Sequence, residues 1–199
     1  MKYLVLYISI AIGLAGCGIE TIKVHVAPSA TSMAGEHTYS FSRTSPQEAG
    51  DYVVYESLVD TELSKYGFAL TLADRGSYIV SLAYDTRYAN VLIDAGDRDC
   101  SSAPGVEQHV GTNFLGRPIY SHSLTVRFFE RFTGREVYGA TSTVEDTNPE
   151  ATAAIPYLVK SALARLPYRN GENWKVMFDR RIAGEVPQVK LIEAAGQCE

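Results

Sequence analysis

The chain has 199 residues, and 18 Lys and Arg against 23 Asp and Glu give it a net charge of −5. A phosphate-binding surface needs clustered positive charge. Arg127, Arg131 and Arg135 are instead spread through an alternating strand pattern and Arg180-Arg181 stand as a lone pair, so no nucleic-acid partner is expected.

Met1-Lys2 precede an apolar run from Tyr3 to Gly13, which ends in Leu14-Ala15-Gly16-Cys17. That is the layout of a secretory signal peptide, and the run stops short of the roughly 20 apolar residues that cross a bilayer as a helix. Leu-Ala-Gly-Cys resembles the lipobox of bacterial lipoproteins, with cleavage between Gly16 and Cys17. The small residues Ala15 and Gly16 let the backbone enter a protease groove, and Cys17 supplies the thiol and, once freed, the amine that carry acyl chains. Several chains together anchor stably at about 0.8 kcal/mol per buried methylene. Residues 1–16 are thus expected to be removed and residues 17–21 to form a lipidated tether. The 183 residues left carry 17 basic and 23 acidic side chains, because only Lys2 is charged in the removed part, and their length suits one domain with a real core. Gly18, in place of the Asp that retains many lipoproteins at the inner membrane, points to the outer membrane facing the periplasm in a Gram-negative host. The remaining cysteines, Cys100 and Cys198, meet an oxidising compartment after export, which favours one disulfide over two free thiols or an intermolecular bridge. Closing a loop of about 100 residues stabilises by roughly 4 to 5 kcal/mol in the chain-entropy model.

Ile22 to Val26 and His37 to Phe41 alternate apolar and polar residues, as half-buried strands do. The Ser, Ala and Thr-rich stretch Pro28 to Gly35 between them is a loop. Ser45-Pro46-Gln47-Glu48 has capping-box spacing. Behind it Tyr52, Tyr55, Val59, Leu63 and Tyr66 recur at helical spacing, with Gly67 placed for a left-handed cap. Core packing against a sheet is the expected role of these tyrosines, ahead of a ligand-stacking stripe. Phe68 to Leu72 and Ser77 to Arg87 are expected strands around an Asp74-Arg75-Gly76 turn, with Tyr78, Val80, Leu82 and Tyr84 on one face. Ala89 to Gly116 forms a long irregular loop, an arrangement usually tied to function or mobility.

The strongest hairpin signal follows: Tyr120, His122, Leu124, Val126 and Phe128 share one face, Thr133-Gly134 turns the chain, and Glu136 to Glu145 returns. Thr147-Asn148-Pro149-Glu150 again has capping-box spacing, ahead of a helix marked by Ile155, Leu158, Val159, Ala162, Leu163 and Leu166. Pro156 opposes an early start, so the regular part can begin there instead. Pro167 ends the helix, Arg169-Asn170-Gly171 turns the chain, and Trp174, Val176 and Phe178 alternate as a last strand. From Ala183 onward no period is visible, and residues 183–199 are expected as a C-terminal tail to a single domain over 22–182.

This order, with the Tyr39-Ser40-Phe41 strand, the strand-turn-strand ending in Val137-Tyr138-Gly139 and the Pro167-Tyr168-Arg169-Asn170-Gly171 turn, resembles the domain-of-unknown-function 4136 lipoproteins of the bacterial envelope. The resemblance covers most of residues 22 to 180. It implies an α+β domain, a mixed and mainly antiparallel sheet with two amphipathic helices packed on one face, a lipid anchor and no known activity. Glu130 stands where the family usually has Asp, Tyr138 where it commonly has Trp, and the Cys100 loop and the tail beyond Arg180 are additions.

Catalytic patterns are weak throughout. Asp94, Asp97 and Asp99 share a loop with Gly96, but the alternate acidic positions and twelfth-position Glu of an EF-hand are missing. His25, His37, His109 and His122 have no short metal-ligand spacing. No serine lies in a Gly-x-Ser-x-Gly elbow, and Glu130 and Glu145, on paired strands, are expected as exposed strand-end charges rather than facing glycosidase carboxylates. The expectation is a noncatalytic binding or assembly module without cofactor or metal, held at the membrane by its lipid, with another envelope protein as partner. The competing classes are a hydrolase or metal-dependent enzyme acting on envelope polymers from the 89–116 loop, and a carrier of a small apolar ligand between sheet and helices.

Overall fold

The computed structural model describes residues 19–26, 33, 35–43, 52–72, 75–89, 111–113, 115–166, 173–179 and 188–194. The strands are β1 (Ile19–Val26), β2 (Thr38–Ser42), β3 (Ala69–Leu70), β4 (Tyr78–Tyr88), β5 (Tyr120–Glu130), β6 (Glu136–Asp146), β7 (Trp174–Asp179) and β8 (Gln188–Ala194). They form one mixed sheet in the order β3-β2-β4-β5-β6-β1-β7-β8. Helices α1 (Tyr52–Ser64) and α2 (Ile155–Leu163) cover one face of it, so the α+β class expected from the sequence is the one observed.

The long alternating strands make the centre. β4 pairs β5 antiparallel from Tyr78↔Glu130 to Tyr88↔Tyr120, and β5 pairs β6 from Tyr120↔Asp146 onward. Period-two alternation therefore puts Tyr78, Val80, Leu82, Leu124, Val126, Phe128 and Tyr138 under the helices, where all are buried. The other face carries Ser123, Thr125, Arg127, Thr141 and Thr143, half-buried or exposed. β2 runs parallel to β4 and β3, a pairing that needs a crossover connection, and α1 is that crossover. β1 lies between β6 and β7, antiparallel to both.

α1 ends as its sequence predicts. Gly67 takes φ +79, its N–H bonds the Ser64 carbonyl, and the Phe68 N–H bonds the Leu63 carbonyl, the paired bonds of a Schellman motif. Its buried residues, however, are Glu56, Val59 and Leu63, while Tyr52, Tyr55 and Tyr66 are only half-buried at the rim. Glu56 is admitted to the buried face because Arg43, just beyond β2, donates to both of its carboxylate oxygens. The expected N-terminal capping box at Ser45 to Glu48 lies outside the described residues.

α2 begins at Ile155 with Pro156 in its first turn, where a missing N–H costs no helical bond. The capping box expected at Thr147 to Glu150 does not form. The Asn148 side chain accepts the Glu150 N–H at 2.9 Å instead, and a single 3-10 turn over Ala151–Ala153 leads into the helix. The expected apolar set is buried in full: Ile155, Leu158, Val159, Ala162, Leu163 and Leu166. Helix C-termini leave carbonyls without helical partners, and the sheet satisfies them here. Tyr138 donates its hydroxyl to Ala162 O and the Trp174 indole N–H reaches Ser161 O at 3.4 Å.

One correction falls at the C-terminal end. Residues 188–194, within the stretch expected as a tail, form β8 and pair with β7. β8 is an edge strand exposed at every position but the half-buried Ile192, so no face imposed an alternating pattern that the sequence could display.

Candidate functional site

Several residues singled out by chemistry lie outside the described residues: Gly16, Cys17, Asp94, Asp97, Asp99, Cys100, His109 and Cys198. The structure fixes what Cys17 would be joined to. Ile19, two residues later, opens β1 and pairs with Asp179 of β7. Lys23 pairs with Thr143 at the end of the β1–β6 ladder, beyond which β1 runs back to Ile19 and β6 runs on to Asp146 toward the same end. Asp146 pairs with Tyr120, and Tyr120 with Tyr88. The start of β1, the end of β6, the start of β5 and the end of β4 thus form one end of the sheet.

Beneath that end lies a buried polar knot. His122 is fully buried. Its Nε2 is 2.9 Å from the Asn148 carbonyl, and its Nδ1 is 2.8 Å from the Tyr84 hydroxyl and 2.9 Å from Thr86 Oγ1. A carbonyl only accepts, so Nε2 donates to it, and Nδ1 accepts from one of the two hydroxyls while the other hydroxyl gives its proton to its neighbour. Tyr84 and Thr86 also hydrogen-bond each other. Both ring nitrogens are used in tying β4 and β5 to the chain entering α2, a structural role rather than a poised base.

Above the knot the end is apolar and aromatic. Tyr55 meets Tyr52 at 5.7 Å and Tyr84 at 5.8 Å between ring centroids, and Tyr88 meets Tyr120 at 5.0 Å. Val53 and Val54, in the first turn of α1, are each 58% exposed, and Tyr88 is 50% exposed. The last part of the expected 89–116 loop is a small hairpin that prolongs β5. Ala89 N–H bonds Ile119 O, Ile119 N–H bonds Gly111 O, and Thr112 bridges Pro118. Asn113 builds its turn by accepting the N–H groups of Leu115 and Arg117 at 3.0 and 2.9 Å, and Gly116 supplies φ +71. Leu115 stands at this tip, 63% exposed.

The other candidate groups do not converge. His25 is exposed on the sheet face away from the helices, and His37 stacks on Phe68 at 4.6 Å. Among the described residues no three His, Cys, Asp or Glu side chains could hold a metal ion. Glu145 pairs with Ser121, whereas Glu130 lies nine residues further along β5, roughly 30 Å away at strand rise. The Thr133 hydroxyl donates to Glu130 at 2.6 Å and Arg135 stands 3.8 Å from it, so the two carboxylates never face each other. Tyr39 donates its hydroxyl to Asp60 at 2.6 Å, and burial, then that hydrogen bond, push its ionisation far above the usual tyrosine range.

Sequence reasoning missed the apolar end because it is assembled from four separated segments. The tyrosines of α1 were visible at helical spacing, but Leu115 reads as an isolated apolar residue in a polar stretch.

No protein-family model and no curated protein matches the chain. Among solved structures, a PelC dodecamer from Paraburkholderia phytofirmans is similar at 18% identity and a TM-score of 0.43, over 72% of this chain and 95% of that one. A variant of the same dodecamer gives 14% identity and 0.42 over the same shares. A PDZ domain protein from Parabacteroides distasonis gives 11% identity and 0.47, over 85% of this chain, which spans 42% of that protein.

Proposed function

We propose that this chain is an exported envelope lipoprotein, acylated on Cys17, whose domain acts at the membrane as a noncatalytic binding or assembly module related to the domain-of-unknown-function 4136 lipoproteins. The observation that carries this reading is the junction between motif and fold. Leu14-Ala15-Gly16-Cys17 ends two residues before Ile19, the first residue of an interior strand bonded on both sides. Cleavage before Cys17 removes none of the described sheet and leaves a tether with little slack. The described polar clusters around His122, Glu56 and Tyr39 are each satisfied by neighbours, which supports a domain that works through its surfaces.

Among the described residues no helix is long and apolar enough to cross a membrane, so in this reading the attachment rests on the acyl chains. Replacing Cys17 with Ser moves the protein from a salt-washed membrane pellet into the soluble fraction. A pelleted Cys17→Ser variant, or an unmodified sulfur on Cys17 in the processed wild-type chain by mass spectrometry, overturns the proposal.

A further inference from the structure

We infer that the Leu115 end of the sheet is a lipid-facing surface, seated in the headgroup layer of the membrane that holds the acyl chains. This rests on the lipoprotein reading above and adds an orientation to it. The argument is one of reach. Cys17 is two residues before Ile19, the first residue of β1, so even a fully extended chain carries it no more than roughly 7 Å beyond the start of that strand. The small hairpin runs from Tyr120 back through Ile119 and Pro118 to Gly116, four residues and roughly 13 Å of strand rise. A bilayer that lies across this end of the sheet, close enough to receive acyl chains on Cys17, also meets Leu115. Laterally the two are within reach of one surface, because β4 and β1 are three strands apart, about 15 Å at ordinary strand spacing.

The chemistry of this end fits what it meets. Leu115, Val53 and Val54 are aliphatic and mostly exposed, and Tyr88 and Tyr120 pair their rings beside them. Tyrosine favours the headgroup level because its ring is apolar and its hydroxyl wet. Charges at the same end are mixed, with Arg87 and Arg117 exposed beside Glu145 and Glu150, so the contact is driven by apolar burial and is insensitive to salt.

The test uses full-length, acylated protein in phosphatidylcholine vesicles containing brominated acyl chains, which quench nearby indoles. Trp174 is fully buried and gives a constant background. Leu115→Trp is expected to lose roughly half of its added emission, since an indole at this position settles at the headgroup level. Phe132→Trp, at the opposite end, is expected to lose none, and both results hold in high salt. Equal quenching of the two variants, or quenching of Leu115→Trp that salt abolishes, overturns the inference while leaving acylation standing. Mass spectrometry of the same sample separates the alternatives: an unacylated Cys17 sinks the lipoprotein reading and this orientation with it.

Discussion

The two ends of the sheet are finished by different physics. At the end that carries the β5–β6 turn, directed polar contacts lock separate segments together. Arg131 donates its backbone N–H to Ser77 O, its Nε to Gly76 O at 2.6 Å and its Nη2 to Ser40 Oγ at 2.6 Å. At the other end tyrosine rings meet tilted or edge-on above the His122 knot. Both ends leave apolar side chains in solvent, Leu72 and Phe132 at the first and Leu115 and Tyr88 at the second. Exposure by itself therefore does not mark a membrane-facing surface. Under the acylation proposed at Cys17 the distinction comes from the direction of β1, which starts at the Leu115 end, two residues after that cysteine in the sequence.

The contrast also divides what holds the fold from what can vary. The largest loss is expected from His122→Ala, which opens a cavity and leaves the Asn148 carbonyl and the Tyr84 and Thr86 hydroxyls short of a partner. Urea unfolding is expected to show a cost of about 3 kcal/mol. A cost under about 0.5 kcal/mol, the scale of ordinary surface changes, would mean that the aromatic end holds without its polar knot.

Gly76→Ala probes the opposite end. A Cβ at Gly76 would stand 2.7 Å from both the Cα and the carbonyl carbon of Tyr39 and 2.9 Å from the Ser40 nitrogen. These are backbone atoms of a paired strand, so β2 or the turn must shift, at about 2 kcal/mol of overpacking. Unchanged stability in the same melts would show that the turn yields freely and that this end is not the rigid one.

How much of this was legible follows from which forces act locally. The β5–β6 hairpin and the buried face of α2 were readable because one continuous surface imposes period two on Leu124, Val126 and Phe128 and helical spacing on Leu158, Ala162 and Leu163. His122 was placed on the inward face by the same alternation, but its partners on β4 and at Asn148 come from segments 36 and 26 residues away. Glu56 defeats periodicity for a related reason, since its partner Arg43 lies thirteen residues away, just beyond β2. β8 was invisible because both its faces are wet, and the start of α2 was set by an Asn148 turn that capping spacing imitates. The candidate site divides likewise: the Leu-Ala-Gly-Cys motif is linear and visible at once, whereas the apolar end exists only after α1, β4, β5 and the hairpin carrying Leu115 are brought together.

The smallest effect at neutral pH, and the sharpest test of the hairpin end, comes from its buried tyrosines. Tyr138, two residues into β6, gives its hydroxyl to Ala162 O, and burial pushes its ionisation well above the usual tyrosine value. Tyr39, at the start of β2, is pushed the same way. The folded state keeps these protons while an unfolded chain releases them near pH 10. The stability they lend is therefore present below about pH 10 and falls above it, by about 1.4 kcal/mol per pH unit for each such group. Tyr138→Phe gives up one hydrogen bond, about 1 kcal/mol at neutral pH, but removes one share of the alkaline slope. The parent and variant stability curves are thus expected to converge near pH 11, roughly one unit above the ordinary tyrosine value. Urea melts across that range decide it. Curves that stay parallel would mean that the Tyr138 proton does not set the alkaline limit, and the loss would then have to be sought at Tyr39 or among the rings of the opposite end.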